Sequence, residues 1–318
     1  LRVLGPSHRA QMVINECDTE SAWVRTVQYT VYRDDILETW NASGYGRGTW
    51  PNYTYVTTGM VKINRRDYRG NTTDEIQSLR ECPCGPLSDA ESFPQTNWKR
   101  WTHHLYNPWG QIIATRVYYD IPESGNGEEG THYDETRFGY DAQGRQNKVV
   151  SPGGTITRMV FSVLDQPTGQ WVGTDDVGAT DDEPDGNGTA GNNMEKVLEN
   201  IYDGNTDGGD GNLTQVIRPE DDTTNRVVNF TYDFRNRLVD TENSDDGSRK
   251  FYTRNLYDNL NRTTGVDSYH TSVSPGNLTG QNRSYNDSRG QIYKSETYAV
   301  NPGTGSVGNA LVSEKWFD

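Results

Sequence analysis

Apolar and polar residues alternate in short stretches along this 318-residue chain. In Thr136-Arg137-Phe138-Gly139-Tyr140 and Val227-Val228-Asn229-Phe230-Thr231-Tyr232 the rings lie two positions apart. Phe138 and Tyr140, or Phe230 and Tyr232, therefore point to one face of a strand. Each stretch runs into a turn signal in which Asp caps the chain and a Gly or Asn, four residues after the aromatic, is suited to φ > 0. A second strand follows, as at Arg145–Val150 or Arg237–Thr241, and Ser151-Pro152-Gly153-Gly154 or Asp245-Asp246-Gly247 begins the return. The pattern predicts β-hairpins with a tight aromatic-Asp turn at one end and a looser loop at the other. A lone hairpin is marginal in water, so neighbours must pair edge to edge with their aromatics in a continuous stripe. The expected fold is all-β, tandem hairpins forming a curved or spiralling antiparallel sheet. No segment sustains a 3.6-residue apolar period; Thr73–Glu81 and Asn193–Asn200 fit short helices as well as strands.

The turn signal is an internal repeat: aromatic, Asp or Asn, two spacers, Gly or Asn, then Arg, Asn or Gln. Its best copy is Tyr140-Asp141-Ala142-Gln143-Gly144-Arg145. Tyr232-Asp233-Phe234-Arg235-Asn236-Arg237 and Tyr257-Asp258-Asn259-Leu260-Asn261-Arg262 follow it closely. Tyr106-Asn107 keeps the frame with Asn, Tyr285-Asn286 is read as one residue longer, and Tyr202-Asp203 reaches Gly211-Asn212 only after an insertion. Arg66-Asp67 lacks the leading aromatic, Phe161-Ser162 is the most decayed, and Phe317-Asp318 has the first two letters of another copy. Leading positions 66, 106, 140, 161, 202, 232, 257, 285 and 317 are about 31 residues apart on average. This divides the chain into strand-like residues 1–65 without a clear phrase and a repeat array over 66–318.

The Tyr-Asp-x-x-Gly-Arg phrase at this spacing resembles the YD repeats of the RHS-repeat family, over about Arg66 to Asp318. In that family, which includes bacterial RHS toxins, TccC-type toxin components and teneurins, YD hairpins spiral into a hollow β-shell. In the bacterial toxins the shell encloses a C-terminal effector. The resemblance implies a scaffold or container, in a secreted or cell-surface setting, whose partner is the remainder of the same polypeptide or an encapsulated effector domain. The Asp-Pro-x-Gly hallmark of the family's C-terminal core is missing, since the sequence has no Asp-Pro dipeptide. The chain reads as a middle slice of a longer shell.

Composition fits this picture. The apolar share is 31%, against about 45–50% in globular domains, and the net charge is −15. Such values suggest disorder, but 19 Tyr, 8 Trp and 7 Phe do not. A wall one sheet thick needs only one buried face. The charge is concentrated: residues 174–212 hold eleven acids and one base, Lys196, and read as a turn-rich insertion. Acidity argues against nucleic acid and anionic membranes, and no stretch approaches the roughly 18 apolar residues of a spanning helix. Cys17, Cys82 and Cys84 are too few for a disulfide scaffold.

Candidate chemistry is sparse. Asp203, Asn205 and Asp207 with Gly208 match the opening of an EF-hand loop, and Asp181, Glu183 and Asp185 with Gly186 repeat it; neither has the closing Glu. These hard oxygens make Ca²⁺ the one candidate cofactor, against the plainer reading of solvated acidic loops. Repeat aromatics Tyr106, Tyr140, Phe161, Tyr202, Tyr232, Tyr257 and Tyr285 are expected to pack between hairpins, with Asp141, Gly144, Arg145, Asp233, Arg237, Asp258 and Arg262 building the turns. Trp98, Trp101 and Trp109 are placed less regularly and are the candidates for an exposed patch that binds carbohydrate. His103 and His104 are adjacent on a strand, so they face opposite sides. Hydrolase, zinc-protease and nucleotide-loop motifs do not occur, and no catalytic residue is assigned. Of ten Asn-x-Ser/Thr triplets many, among them Asn71, Asn212, Asn229 and Asn261, fall inside the repeat phrase, where Asn serves the turn and Thr the strand. The reading is a non-catalytic shell segment. Its rival is an adhesin-like array binding carbohydrate or protein, and open sheet edges leave room for self-association.

Overall fold

The computed structural model describes residues 9–11, 23–33, 36–47, 54–80, 91–205, 209–220, 224–245 and 249–317. Cys17, Cys82, Cys84 and Asp207, together with the Asn205 side chain, lie outside the described residues. The described chain is all-β; its helical residues are three single 3₁₀ turns, at Gln95–Asn97, Asp203–Asn205 and Pro275–Asn277. The two segments that fitted helix or strand contribute strands where they are described, Thr72–Ser78 and Glu195–Tyr202. No described helix is long and apolar enough to cross a membrane.

Compactness divides the chain into 1–155 and 156–318. The first unit contains β1 (Arg9–Gln11), β2 (Trp23–Arg33), β3 (Ile36–Arg47), β4 (Thr54–Arg66), β5 (Thr72–Ser78), β6 (Trp98–Tyr106), β7 (Ile112–Tyr118), β8 (Tyr133–Tyr140) and β9 (Gln146–Val150). Each strand pairs antiparallel with the next. The second unit contains β10 (Ile156–Phe161), β11 (Pro167–Gly173), β12 (Glu195–Tyr202), β13 (Leu213–Pro219), β14 (Asn225–Tyr232) and β15 (Leu238–Asp245). It continues through β16 (Arg249–Tyr257), β17 (Thr263–His270), β18 (Leu278–Asn286), β19 (Ile292–Val300) and β20 (Val307–Glu314). Here too each strand pairs antiparallel with its successor.

This meander places every phrase turn of a unit at one end of its strands and every other loop at the opposite end. In the first unit the two ends differ in charge: residues 119–132 between β7 and β8 carry four acids and no Lys or Arg, whereas the phrase turns Asp67–Asn71, Asn107–Gln111 and Asp141–Arg145 are each neutral in sum. In the second unit residues 174–194 between β11 and β12 carry six acids and no base, and the enlarged phrase turn at 203–212 carries three acids.

Core packing is heaviest in the first unit. Trp40, Ile63, Ile76, Trp101, Tyr118 and Tyr133 line one face of β3–β8 and are buried. Trp40 opposes Ile63, Ile63 opposes Ile76, and Ile76 opposes Trp101. Trp101 then stacks on Tyr118 with centroids 3.8 Å apart. Trp98 meets Trp101 edge-on at 5.0 Å, and Phe93 from the β5–β6 loop does the same to Trp40. In the second unit Ile156, Trp171, Met194, Val216 and Leu278 are buried singly, with Ser244, Asp267 and Glu296. A face this thin on aliphatics must hold itself together by other means.

Candidate functional site

The repeated phrase is where the chain concentrates its chemistry. In the best copy the Asp141 N–H donates to Arg145 O and Gly144 N–H to Asp141 O, both at 2.9 Å. Asp141 Oδ1 accepts from the N–H groups of Gln143 and Arg145, and Arg145 Nε donates to Asp141 Oδ2 at 2.6 Å. This is a three-residue hairpin loop whose last residue must be left-handed. Gly144 sits at φ 85°, and Asn236 and Asn261 take the same place at 58° and 64°. Asp233–Arg237 and Asp258–Arg262 repeat the carboxylate-guanidinium pair at 2.7 and 2.6 Å. Ser162–Gln166 and Ser151–Thr155 keep the backbone bonds with a serine hydroxyl in place of the carboxylate.

Burial pushes the Asp141 carboxyl up, but Arg145 and the turn N–H groups outweigh it and hold the group below its ordinary value. Asp233 is lowered first by Arg237 and then by the same backbone donors.

The leading residue of each phrase, aromatic except at Arg66 and Asn286, closes its strand, and a register shift falls beside it in every phrase hairpin from β4–β5 to β18–β19. The bulge turns the ring toward the preceding copy. Tyr106 Oη donates to Thr72 O at 2.8 Å, Tyr140 Oη to Ile112 O at 2.7 Å, and Tyr232 Oη to Leu213 O at 2.9 Å. Tyr257 Oη donates to Leu238 O at 2.8 Å, and Tyr202 Oη reaches Pro167 O at 3.3 Å. The acceptor each time is the residue that starts the strand after the previous phrase turn.

The last phrase position reaches the other way. Gln111 Nε2 donates to Gly144 O, Gln166 Nε2 to Gly211 O, Arg237 Nη1 to Asp258 O and Arg262 Nη1 to Asp287 O. The Arg237 guanidinium also lies over the Tyr257 ring at 4.7 Å. Tyrosines therefore stitch backward along each unit, and Arg or Gln braces forward.

Two expectations need correction. Trp98 and Trp101, proposed for an exposed patch, are only 7% and 4% exposed. Their indoles donate inward, Trp98 Nε1 to Phe93 O and Trp101 Nε1 to Asp74 Oδ1. Trp109, at the tip of its turn, is 84% exposed. In the copy placed at Tyr285, the turn bonds begin at Asp287, which pairs with Gln291 and Gly290. The phrase frame is therefore Asn286–Gln291, with Asn286 in the aromatic place. Tyr285 donates instead to Glu296 Oε2, and Ser284 Oγ supplies the backward bond to Thr263 O.

The acidic loops are held largely by their own backbone. Asp203 Oδ1 and Oδ2 accept from Asn212 N and Gly211 N, which identifies Asp203 as the cap of an enlarged phrase turn. Asp185 Oδ1 accepts from Asn187 N, and Asn193 Oδ1 closes the neck of the insertion on Thr174 N and Asp175 N. Asp181 and Glu183 lie in the same insertion. Among the described residues no three His, Cys, Asp or Glu side chains converge as a metal set.

No known protein-family profile matches the chain. No curated protein matches it either. Similar solved structures exist. A TcdB2–TccC3–Cdc42 crystal structure aligns with 91% of this chain at 10% identity and a TM-score of 0.43. The Photorhabdus luminescens Tc holotoxin pore, with a substituted TccC3, aligns with 91% at 10% identity and 0.41. A TcdB2–TccC3–TEV structure gives 91%, 11% and 0.32. The chain spans 20%, 19% and 17% of those chains. A likeness at such scores carries no argument about what this chain does.

One feature escaped the sequence reading. Glu38, Arg65, Asp74, His103, Arg116 and Glu135 stand directly opposite one another across β3–β8, on the same face as the aromatic row. Arg65 Nε meets Glu38 at 2.8 Å, His103 Nδ1 meets Asp74 at 2.8 Å, and Arg116 Nε meets Glu135 at 2.6 Å. Burial pushes the Asp74 carboxyl up, and hydrogen bonds from His103 and Trp101 pull it further down. In the second unit Asp240, Arg254 and Asp267 oppose one another, as do Arg283 and Glu296, and Arg283 bridges to Asp267. Glu296 accepts from Lys294, Tyr298 and Tyr285, which lower it to about 2. The only signal in the sequence is a charged residue at an inward strand position, which becomes legible once the register is known. His104 turns away to Thr115 Oγ1.

Proposed function

We propose that this chain is a non-catalytic structural segment of an RHS/YD-repeat shell, one that encloses, presents or delivers another part of a larger secreted or surface protein. The observation that carries the reading is the two-way stitching of successive copies. The phrase hydroxyls, carboxylates and guanidiniums engage neighbouring backbone or each other, which is how a wall uses them, while a catalyst keeps such groups facing a substrate. Cross-strand ion pairs on the sheet face add to this joining of strands. A screen of glycoside, ester, peptide and phosphate hydrolysis tests the reading. The expected result is no turnover above buffer; turnover removed by one side-chain substitution, with the fold intact, overturns it.

A second reading has one observation in its favour. Trp109 borders an open groove of about 620 Å³ also lined by Phe138, Tyr140 and Gln143, and a ring beside amides suits a sugar face. An adhesin-like array would bind glycans on an array and lose them on Trp109→Ala. Its Ca²⁺-stiffened form requires calorimetric heat and a raised melting temperature with Ca²⁺; without both, that form fails.

A further inference from the structure

Two asparagines of the sequence are followed by glycine, Asn126 in the β7–β8 loop and Asn187 in the β11–β12 loop, and both are exposed. An Asn-Gly pair is open to attack by the glycine nitrogen on the asparagine side-chain amide carbon, because no Cβ shields that nitrogen. The attack needs a free side chain and a backbone N–H that can give up its proton. It also needs support for the negative charge, which then spreads onto the carbonyl oxygen of the same peptide.

Asn126 has all three. Among the described residues nothing binds its side chain, and the Gly127 N–H finds no acceptor. Tyr118 Oη donates to Asn126 O at 2.7 Å. That oxygen belongs to the peptide whose nitrogen attacks, so the phenol is already aimed at the place where charge develops. The Tyr118 ring is fixed by its stack on Trp101, and burial pushes its hydroxyl up to about 12, which keeps it a donor. The next residue must be glycine for packing reasons, since a Cβ at Gly127 would stand 2.8 Å from His132 Cγ. Gln95 Nε2 holds the preceding carbonyl, Gly125 O, at 2.7 Å. Asn187 lacks this arrangement. The Gly188 N–H donates to Asp185 O at 3.3 Å, and no described residue donates to Asn187 O.

We propose that Asn126 is a site of spontaneous covalent modification, a succinimide closing at Asn126–Gly127 with the Tyr118 hydroxyl promoting it. Gly127 N gives its proton to solvent and bonds to Asn126 Cγ. The Cγ–Nδ2 bond breaks, and Nδ2 takes a proton from solvent and leaves as ammonia. Water then opens the ring at one carbonyl or the other, leaving aspartate or isoaspartate. Either product adds a carboxylate to a loop that already holds four acids. Isoaspartate also lengthens the main chain by one carbon, which draws the carbonyl away from Tyr118 and loosens the loop over the Trp101 stack.

Incubation of the full chain in mildly alkaline buffer, followed by peptide mass spectrometry, tests this. Expected is conversion of Asn126 ahead of Asn187 in the folded chain, with the two rates converging when the chain is unfolded in urea. Tyr118→Phe is expected to slow Asn126 by about two- to tenfold, the worth of one hydrogen bond, and to leave Asn187 unchanged. An Asn126 that stays intact in the folded chain, or reacts no faster relative to Asn187 than in urea, overturns the proposal. So does a folded Tyr118→Phe chain in which Asn126 reacts as fast as before or faster. The folded-to-unfolded comparison needs no variant and decides alone if Tyr118→Phe does not fold.

Discussion

Tyr232 and Tyr257 make the same backward bond with different redundancy, and that difference can be measured. Leu213 O accepts from Tyr232, whereas Leu238 O accepts from both Tyr257 Oη and Asn255 Nδ2. Tyr232→Phe is expected to lower the urea unfolding free energy by about 0.5–1.5 kcal/mol, and Tyr257→Phe by less. Equal effects would show that the hydroxyls are not what joins the copies. Gly144 tests the turn. At φ 85°, with Gln111 Nε2 only 3.2 Å from where a Cβ would stand, Gly144→Ala is expected to cost about 1–2 kcal/mol. These residues were legible: the phrase named the turn, its cap and its left-handed position before any coordinate. Hydroxyl acceptors were not, because a tyrosine's partner depends on which strand lies beside it.

Paired strands carry the titrating groups. Glu296 falls from an ordinary 4.5 to about 2 because Lys294, Tyr298 and Tyr285 bind its charged form. A lowered carboxyl stabilises the fold fully above its unfolded value, and that stability is lost as pH falls from about 4.5 through about 2. Asp74 and Glu135 are lowered as well and add to the same acid limb. Tyr298 is raised to about 12, chiefly by its bond to Glu296, so its share is present below 10 and is lost as pH rises through about 12. Glu296→Gln is expected to flatten both limbs of the pH–stability curve measured by urea denaturation. An unchanged curve would remove the charge row from the account of stability. For the insertion, Asn193→Ala opens the neck that holds Thr174 and Asp175, and faster amide exchange confined to residues 174–193 is the expected outcome. The strand and hairpin pattern was read from alternation alone. Trp98 and Trp101 were misplaced because their burial depends on partners distant in sequence: Trp101 lies between Ile76 and Tyr118, and the Trp98 indole donates to Phe93 O.

Across the molecule, a net charge of −15 opposes compaction. Raising salt within the range where screening grows is expected to raise the urea midpoint, as the acidic loops cease to repel one another. A midpoint that falls would mean that the cross-strand ion pairs, which salt weakens, outweigh that repulsion. The all-β class, the hairpin as its unit and the position of nearly every phrase turn were determined by sequence alone. They follow from local rules: period-two alternation, an Asp that caps its own turn, and a Gly or Asn where only φ > 0 closes it. The frame at Asn286 was missed because a neighbouring tyrosine imitated the aromatic place. Only the tertiary structure decided which carbonyl each tyrosine meets and that charges align in rows along one face of the sheet. Those depend on register and on the direction of each successive strand, quantities set between residues about 30 positions apart and invisible to any local pattern.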